Sequence, residues 1–303
     1  MSFETVLVQM AVLFLMLAVG YAARKLKVFG PDGVHVMTAL VMNITLPCMI
    51  LNSILNGGGE ISGGETLRFL GMSALAYVLM FLLSWVTPAV LRVKADAGIY
   101  RFAVMFANTG FMGFPVIEAL YGREGLFFAA LYNILFNVLA YSLGIRYISG
   151  SEGRFNWKKI VNPAVVTTLF AIVLHVLHVQ LPEVLMRPIE LMGNVTTPVS
   201  MIVVGATLAN MPLRDMFSGW RIYPLTAITL LVVPLITWAI FRWFVPDAVQ
   251  LAVLVLLAAM PAASATTMIC LQYGGNEELA SKVVFLTTLL SVVTVPAVVY
   301  ALL

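Results

Sequence analysis

The chain has 303 residues, of which 61% are hydrophobic and only 10% charged, with a formal net charge of +3. Soluble proteins carry about 25% charged and about 45–50% apolar residues, so a soluble enzyme, a secreted domain and a disordered chain are excluded. The mean hydropathy of +1.01 makes the bilayer this chain's solvent. Its apolar stretches are continuous, unlike the roughly ten-residue alternating segments of a membrane barrel, and they predict an all-α polytopic membrane protein.

A spanning helix needs about 20 mostly apolar residues. Ten such spans are expected, at 4–23, 33–55, 66–90, 99–120, 125–148, 160–179, 188–209, 222–244, 248–271 and 281–302. The first is preceded only by Glu4 and followed by Arg24, Lys25 and Lys27, the reverse of a cleavable signal peptide. Span two carries Asn43-Ile44-Thr45-Leu46-Pro47 and leads into the Gly-rich, acidic connection Asn56–Glu65. Span four holds the run Phe106–Pro115, and Ser149–Lys159 is the longest connection. Span seven carries Asn194-Val195-Thr196-Thr197-Pro198, and span nine holds Met260-Pro261-Ala262-Ala263-Ser264.

Charge sets the expected orientation. Alternate connections hold Arg24, Lys25, Lys27, Arg92, Lys94, Arg101, Arg146, Arg154, Lys158, Lys159, Arg214, Arg221 and Lys282, leaving only Arg68, Arg123, Arg187 and Arg242 for the other side. The positive-inside rule places the first set in the cytoplasm. The reading is a multi-pass protein of the plasma (cytoplasmic) membrane with both termini outside. Trp157, Trp220 and Trp243 fall near span ends, where aromatic belts lie.

Three matches suggest an internal repeat. The Asn…Pro motifs of spans two and seven are 151 residues apart, Tyr121-Gly122 and Tyr273-Gly274 are 152 apart, and Pro115 and Pro261 are 146 apart. The expected division is 1–148 for a first five-helix repeat, 149–159 for a cytoplasmic connecting loop and 160–303 for a second repeat. Five is odd, so the second repeat enters the membrane inverted, as in many secondary transporters.

Spans four and nine read as broken helices. Asn108, Thr109, Gly110, Gly113 and Pro115 lie near the middle of the first, and Pro261, Ala262, Ser264 and Thr266 near the middle of the second. Proline removes a backbone donor and disturbs the preceding turn, and glycine lowers the cost of unwinding. Such a break is tolerated in lipid only where it lines a cavity or is covered by protein. If Pro115 and Pro261 each open a second half-helix, two helix N-termini converge and favour an anion. Asn108, Thr109, Ser264 and Thr266 add polar groups. Asn43 and Pro47, with Asn194 and Pro198, form a second constellation, in which the amide satisfies backbone groups freed by the kink or faces the pocket.

Glu118 is the one acid well inside a span, and a costly intramembrane ioniser is a functional candidate. Asn133 and Asn137 lie one helical turn apart in span five and are candidates to face it; Glu118 and Asn133 would serve a coupling proton or cation. The plainer alternative pairs Glu118 with Arg123. Cys48 and Cys270 read as small buried residues, and His175 and His178 as interfacial histidines. No metal site, no cofactor and no nucleic-acid-binding tract is expected, and no catalytic constellation suggests an enzyme.

Asn43–Pro47 with Cys48-Met49-Ile50, Asn108–Pro115, and Met260–Ala263 followed by Tyr273-Gly274 resemble the auxin efflux carrier family, the prokaryotic relatives of the plant PIN auxin carriers. The resemblance runs over the whole chain. It implies ten helices in two inverted five-helix repeats, similar to the NhaA and bile acid symporter architecture. Helices 1, 2, 6 and 7 would form a scaffold, helices 3–5 and 8–10 a moving transport domain, and helices four and nine would cross at the substrate. By resemblance, Asn108, Pro115 and Pro261 belong to the crossover and Glu118 falls near the polar support site. The long cytoplasmic loop of the plant proteins has no counterpart in the short Ser149–Lys159, and span three lacks an acid.

The leading functional reading is a secondary transporter of small organic anions, carboxylates such as malate, malonate or auxin-like acids, working by alternating access. Alternatives are a sodium-coupled organic anion symporter of the bile acid type and a non-transporting membrane receptor. The expected partners are the anion, the bilayer and a proton or sodium ion; a homodimer is left open.

Overall fold

The computed structural model describes residues 3–57, 61–150, 161–177, 179, 181–210 and 216–303. Among these residues the chain is helical throughout, with one isolated β-bridge. Seven helices are long and apolar enough to cross a membrane: 7–25, 32–56, 63–90, 109–149, 183–210, 222–241 and 277–302. Two shorter apolar helices occupy 163–176 and 248–259. The sequence predicts ten spans, and the difference has local causes. The segments expected as spans four and nine are interrupted, and the one expected as span six is helical only over Pro163–Val176, so each falls short of a full crossing. Thr109–Ser149 runs as one stretch of 41 residues but turns at Gly122, with φ 60° and ψ −150°.

The helices are α1 (Phe3–Lys25), α2 (Pro31–Leu40), α3 (Leu46–Gly57), α4 (Gly63–Val90), α5 (Ala97–Met105), α6 (Phe114–Leu139), α7 (Ile145–Ser149) and α8 (Pro163–Val176). They continue as α9 (Glu183–Asn194), α10 (Thr196–Asn210), α11 (Ile222–Ala227), α12 (Val233–Phe241), α13 (Ala248–Ala259), α14 (Ala265–Tyr273) and α15 (Glu277–Leu302). Short π-helical turns join α2 to α3, α6 to α7 and α11 to α12, and a fourth, Thr109–Gly113, precedes α6. Side-chain caps start four helices among the described residues: Ser62, Asn162, Asp247 and Asn276 accept from the backbone N–H of Glu65, Val165, Gln250 and Leu279, each satisfying a donor that a helix start leaves open. Gly122 and Gly274 both have positive φ, 60° and 76°, a conformation that glycine adopts without steric cost.

The chain folds as two compact units. Unit one is Met1–Leu70, Gly110–Ile134 and Val161–Asn210; unit two is Gly71–Thr109, Leu135–Ile160 and Met211–Leu303. In unit one α1 packs along α10. A Cβ at Gly205 would strike the Leu17 carbonyl, and one at Gly20 the backbone of Ile202. These contacts need glycine, and membrane helices approach closely through small residues. α3 packs on α8 and α9, with Gly193 against the backbone of Met49. Pro47 cannot donate in the helix ladder, and the chain meets it with the π-turn Val41–Thr45. There Asn43 Nδ2 donates to the Ala39 carbonyl at 2.8 Å.

In unit two, α13 is buried on every side, from Ala252 to Ala259, which is how an apolar-all-round helix settles. α5 and α7 meet at Gly98, where a Cβ would strike the Tyr147 carbonyl. The Arg101 guanidinium lies 3.7 Å over the Trp85 ring, and the Tyr147 hydroxyl is 3.2 Å from Ser84 Oγ.

Candidate substrate site at a helix crossing

α5 ends at Met105 and α13 at Ala259, and the residues that follow each are extended. The two extended pieces, both in unit two, pair antiparallel with Ala107 opposite Ala262. Asn108 N donates to the Pro261 carbonyl at 2.7 Å, and Ala263 N donates to the Phe106 carbonyl at 3.0 Å. The exchange satisfies peptide groups that a broken helix would leave bare, and in hydrocarbon each bare group costs several kcal/mol. Pro261 fits because its position needs only an acceptor.

Side chains complete the crossing. Ala262 N donates to Thr287 Oγ1 of α15 at 3.2 Å, while Thr287 donates to the Val283 carbonyl at 2.7 Å. Thr266 Oγ1 and N both donate to the Ala263 carbonyl. Asn108 Nδ2 reaches Ser264 Oγ at 3.5 Å. Phe106 and Ala262 are fully buried and Asn108 and Thr109 nearly so, while Ala107 and Ser264 are half-buried. The Phe106 ring packs on Phe102, Phe136 and Tyr77.

The structure thus brings together Asn108, Pro261, Ala262, Ser264 and Thr266. It changes the expected role of the prolines. Helical turns resume at Thr109, before Pro115, and Pro261 precedes α14 rather than opening it. Gly110 and Gly113 form the π-turn, and Pro115 is the second residue of α6. The residues at matching positions of the two breaks are Ala107 and Ala262. No side-chain chemistry marks them, because the pairing uses only backbone. Thr287 was equally hidden; the faint signal is a hydroxyl in the apolar run of the last span.

The remaining candidates lie in unit one, apart from Asn137. Glu118 Oε2 accepts from Thr197 Oγ1 at 2.5 Å. Arg123 pairs with Glu190 at 2.6 Å, beside Arg187 at 2.8 Å, so the expected alternative of a Glu118–Arg123 ion pair is not formed. Asn133 and Asn137 are buried, and Asn137 falls in unit two. Asn194 closes α9, and Pro198 is the third residue of α10. Thr45 and Thr196, the central threonines of the two Asn…Pro motifs, are both fully buried with hydroxyls that make no hydrogen bond among the described residues. His175 faces the Phe127 ring and the Ile61 carbonyl; His178 lies outside the described residues.

The chain is an all-helical polytopic membrane protein in which two interrupted helices pair through their backbones at Ala107 and Ala262. The chain matches the family described as membrane transport protein over residues 5–156 and again over 152–299. It belongs to this family. This is the auxin efflux carrier family that the sequence motifs resemble. An "Uncharacterized transporter" of Methanothermobacter thermautotrophicus is 27% identical over 304 residues, covering 97% of this chain and 96% of the relative. The "Uncharacterized transporter YfdV" of Escherichia coli K12 is 24% identical, covering 95% of each. A "Putative malonate transporter" of Rhizobium meliloti is 23% identical, covering 95% of this chain and 92% of the relative. The protein is a multi-pass membrane transporter of this family.

Proposed function

We propose that the chain is a secondary transporter of small organic anions, carrying carboxylates such as malonate or malate by alternating access. The observation that carries this reading is the backbone exchange between Ala107 and Ala262. It holds two interrupted helices open beside the polar side chains of Asn108 and Ser264, and helical turns begin again at Thr109 and Ala265. Helix starts present unpaired N–H groups and a partial positive charge, which favour a carboxylate, and paired interruptions in corresponding positions point to a transport site. The name of the Rhizobium meliloti relative supports a dicarboxylate.

In this reading the chain is ten spans in two inverted repeats, 1–148 and 160–303, with scaffold helices 1, 2, 6 and 7 and transport helices 3–5 and 8–10. The paired glycine turns at Gly122 and Gly274 and the two Asn…Pro motifs support it. Substrate binds through Asn108, Thr109, Ser264 and Thr266. Gly110, Gly113, Pro115, Pro261 and Ala262 shape the backbone, and Asn43, Pro47, Asn194 and Pro198 shape spans two and seven. Glu118, with Asn133, carries a coupling proton or cation. The test is counterflow in proteoliposomes: preloaded malonate or malate should drive uptake of labelled substrate. Saturable binding without counterflow would point to a receptor, and uptake that requires sodium to a symporter of the bile acid type.

A further inference from the structure

At one end of unit two an open cleft of about 350 Å³, of mixed polar and apolar lining, is bordered by Asp96, Tyr100, Ser218, Arg221, Glu278 and Lys282 among others. Asp96 immediately precedes α5, Ser218 and Arg221 precede α11, and Glu278 and Lys282 lie in the first turns of α15. The distribution of basic residues assigns this end to the cytoplasm. Trp220 lines the cavity and is 69% exposed, and its chain neighbours Phe217 and Tyr223 are exposed as well. Exposed aromatics next to basic residues are the signature of a membrane–water interface.

The charges in the cavity fall into two sets. The Lys282 ammonium is buried, and it donates to Glu278 Oε1 at 2.5 Å and to Ser218 Oγ at 2.6 Å. Burying an ammonium requires such partners, and that pair neutralises itself. Arg221 and Asp96 differ. The Arg221 guanidinium lies 5.5 Å over the Trp220 ring, and Asp96 Oδ2 accepts a hydrogen bond from Asn276 Nδ2 at 3.1 Å. No ion pair joins either one to another described residue. The cavity therefore offers one guanidinium and one carboxylate. A simple anion would meet the Asp96 carboxylate, and a simple cation would meet Arg221. A molecule with both an ammonium and an anionic group complements both. Asp96 also holds a left-handed backbone, φ 58°, a conformation in which Asp and Asn are enriched and which functional sites concentrate.

We propose that this cavity binds the headgroup of an aminophospholipid from the cytoplasmic leaflet, its ammonium on Asp96 and its phosphate on Arg221. The same ammonium-plus-phosphate chemistry could come from a soluble zwitterion. The aromatic rim, where a glycerol backbone and acyl chains can lie, favours the lipid.

The test uses the full-length protein, delipidated in detergent and followed by thermal unfolding. It is titrated with short-chain phosphatidylethanolamine, with phosphatidylglycerol of the same chains, and with soluble glycerophosphoethanolamine. A ligand that binds the folded state raises the unfolding temperature by mass action. Phosphatidylethanolamine should protect at about ten-fold lower concentration than phosphatidylglycerol. Asp96→Asn, which suits the left-handed backbone, should erase that preference by weakening the response to phosphatidylethanolamine without weakening the response to phosphatidylglycerol. Arg221→Gln should weaken both lipids. Should Asp96→Asn fail to fold, Asp96→Gly also fits the backbone and removes the carboxylate. Equal protection by both lipids in the unmodified protein, or a preference that survives loss of the Asp96 carboxylate, overturns the proposal. Protection by glycerophosphoethanolamine where the lipid gives none overturns the lipid as the ligand.

Discussion

Asn108 contributes to the crossing twice, through two different groups. Its backbone N–H closes the bridge to Pro261, and its side chain reaches Ser264. Asn108→Ala deletes only the second, so fold and affinity separate. A lost hydrogen bond to a charged ligand is worth about 1.5–3 kcal/mol, which lowers affinity roughly 10- to 150-fold. Titrating a verified substrate against the purified variant should show that loss with an unchanged unfolding temperature. Wild-type affinity would move the pocket elsewhere. Asn43 bonds the Ala39 carbonyl of its own helix, so Asn43→Ala should change substrate affinity far less. Glu118 accepts a hydrogen bond from Thr197 and forms no ion pair among the described residues. In proteoliposomes Glu118→Gln should flatten the pH dependence of transport; a profile that stays like wild type would make the Glu118–Thr197 bond purely structural.

Between elements, the crossing depends on its neighbour. Thr287 of α15 accepts the Ala262 N–H that neither interrupted helix can satisfy. Thr287→Val keeps the shape but strands a buried donor, a loss of about 1–3 kcal/mol. Thermal unfolding should register it, and Thr287→Ser should restore most of it. An unchanged midpoint in the valine variant would mean that Ala262 finds another acceptor. The contact of α1 with α10 is of another kind, set by the absence of side chains. Gly205→Val would drive a branched side chain into the Leu17 carbonyl. Overpacking costs about 1–3 kcal/mol, occasionally more, and a clash with backbone belongs at the upper end. Gly71, with open space around its Cβ position, should accept alanine with little change in unfolding temperature.

For the whole molecule, the charge count predicts that tags at residues 1 and 303 are reached by impermeant reagents from outside the cell. A tag in 149–159 should be reached only from inside. Termini found on opposite sides would make the number of spans odd and remove the inverted repeat. The sequence by itself determined the membrane class, the helical character and the family, and it pointed to interruptions within two of the apolar segments. All of these follow from composition or from residue types at fixed spacing: too few charges to coat a soluble surface, continuous apolar runs, and Gly and Pro in the middle of two spans. It also pointed to Glu118, because an acid among apolar residues stands out. Only the tertiary structure decided what each break does with its freed peptide groups. Ala107 and Ala262 meet through N–H and C=O groups that every residue carries, so nothing in their side chains announces the pairing. Thr287 and Thr197 were unreadable for a related reason. A hydroxyl in an apolar helix can bond its own preceding turn, and only the packing of neighbouring helices determines whether it also serves a distant partner. The cavity beside Asp96 and Arg221 is likewise a product of folding. Asp96 and Arg221 come from two separate connections and Lys282 from the start of α15, and their juxtaposition depends on where the helices begin and end rather than on any local pattern.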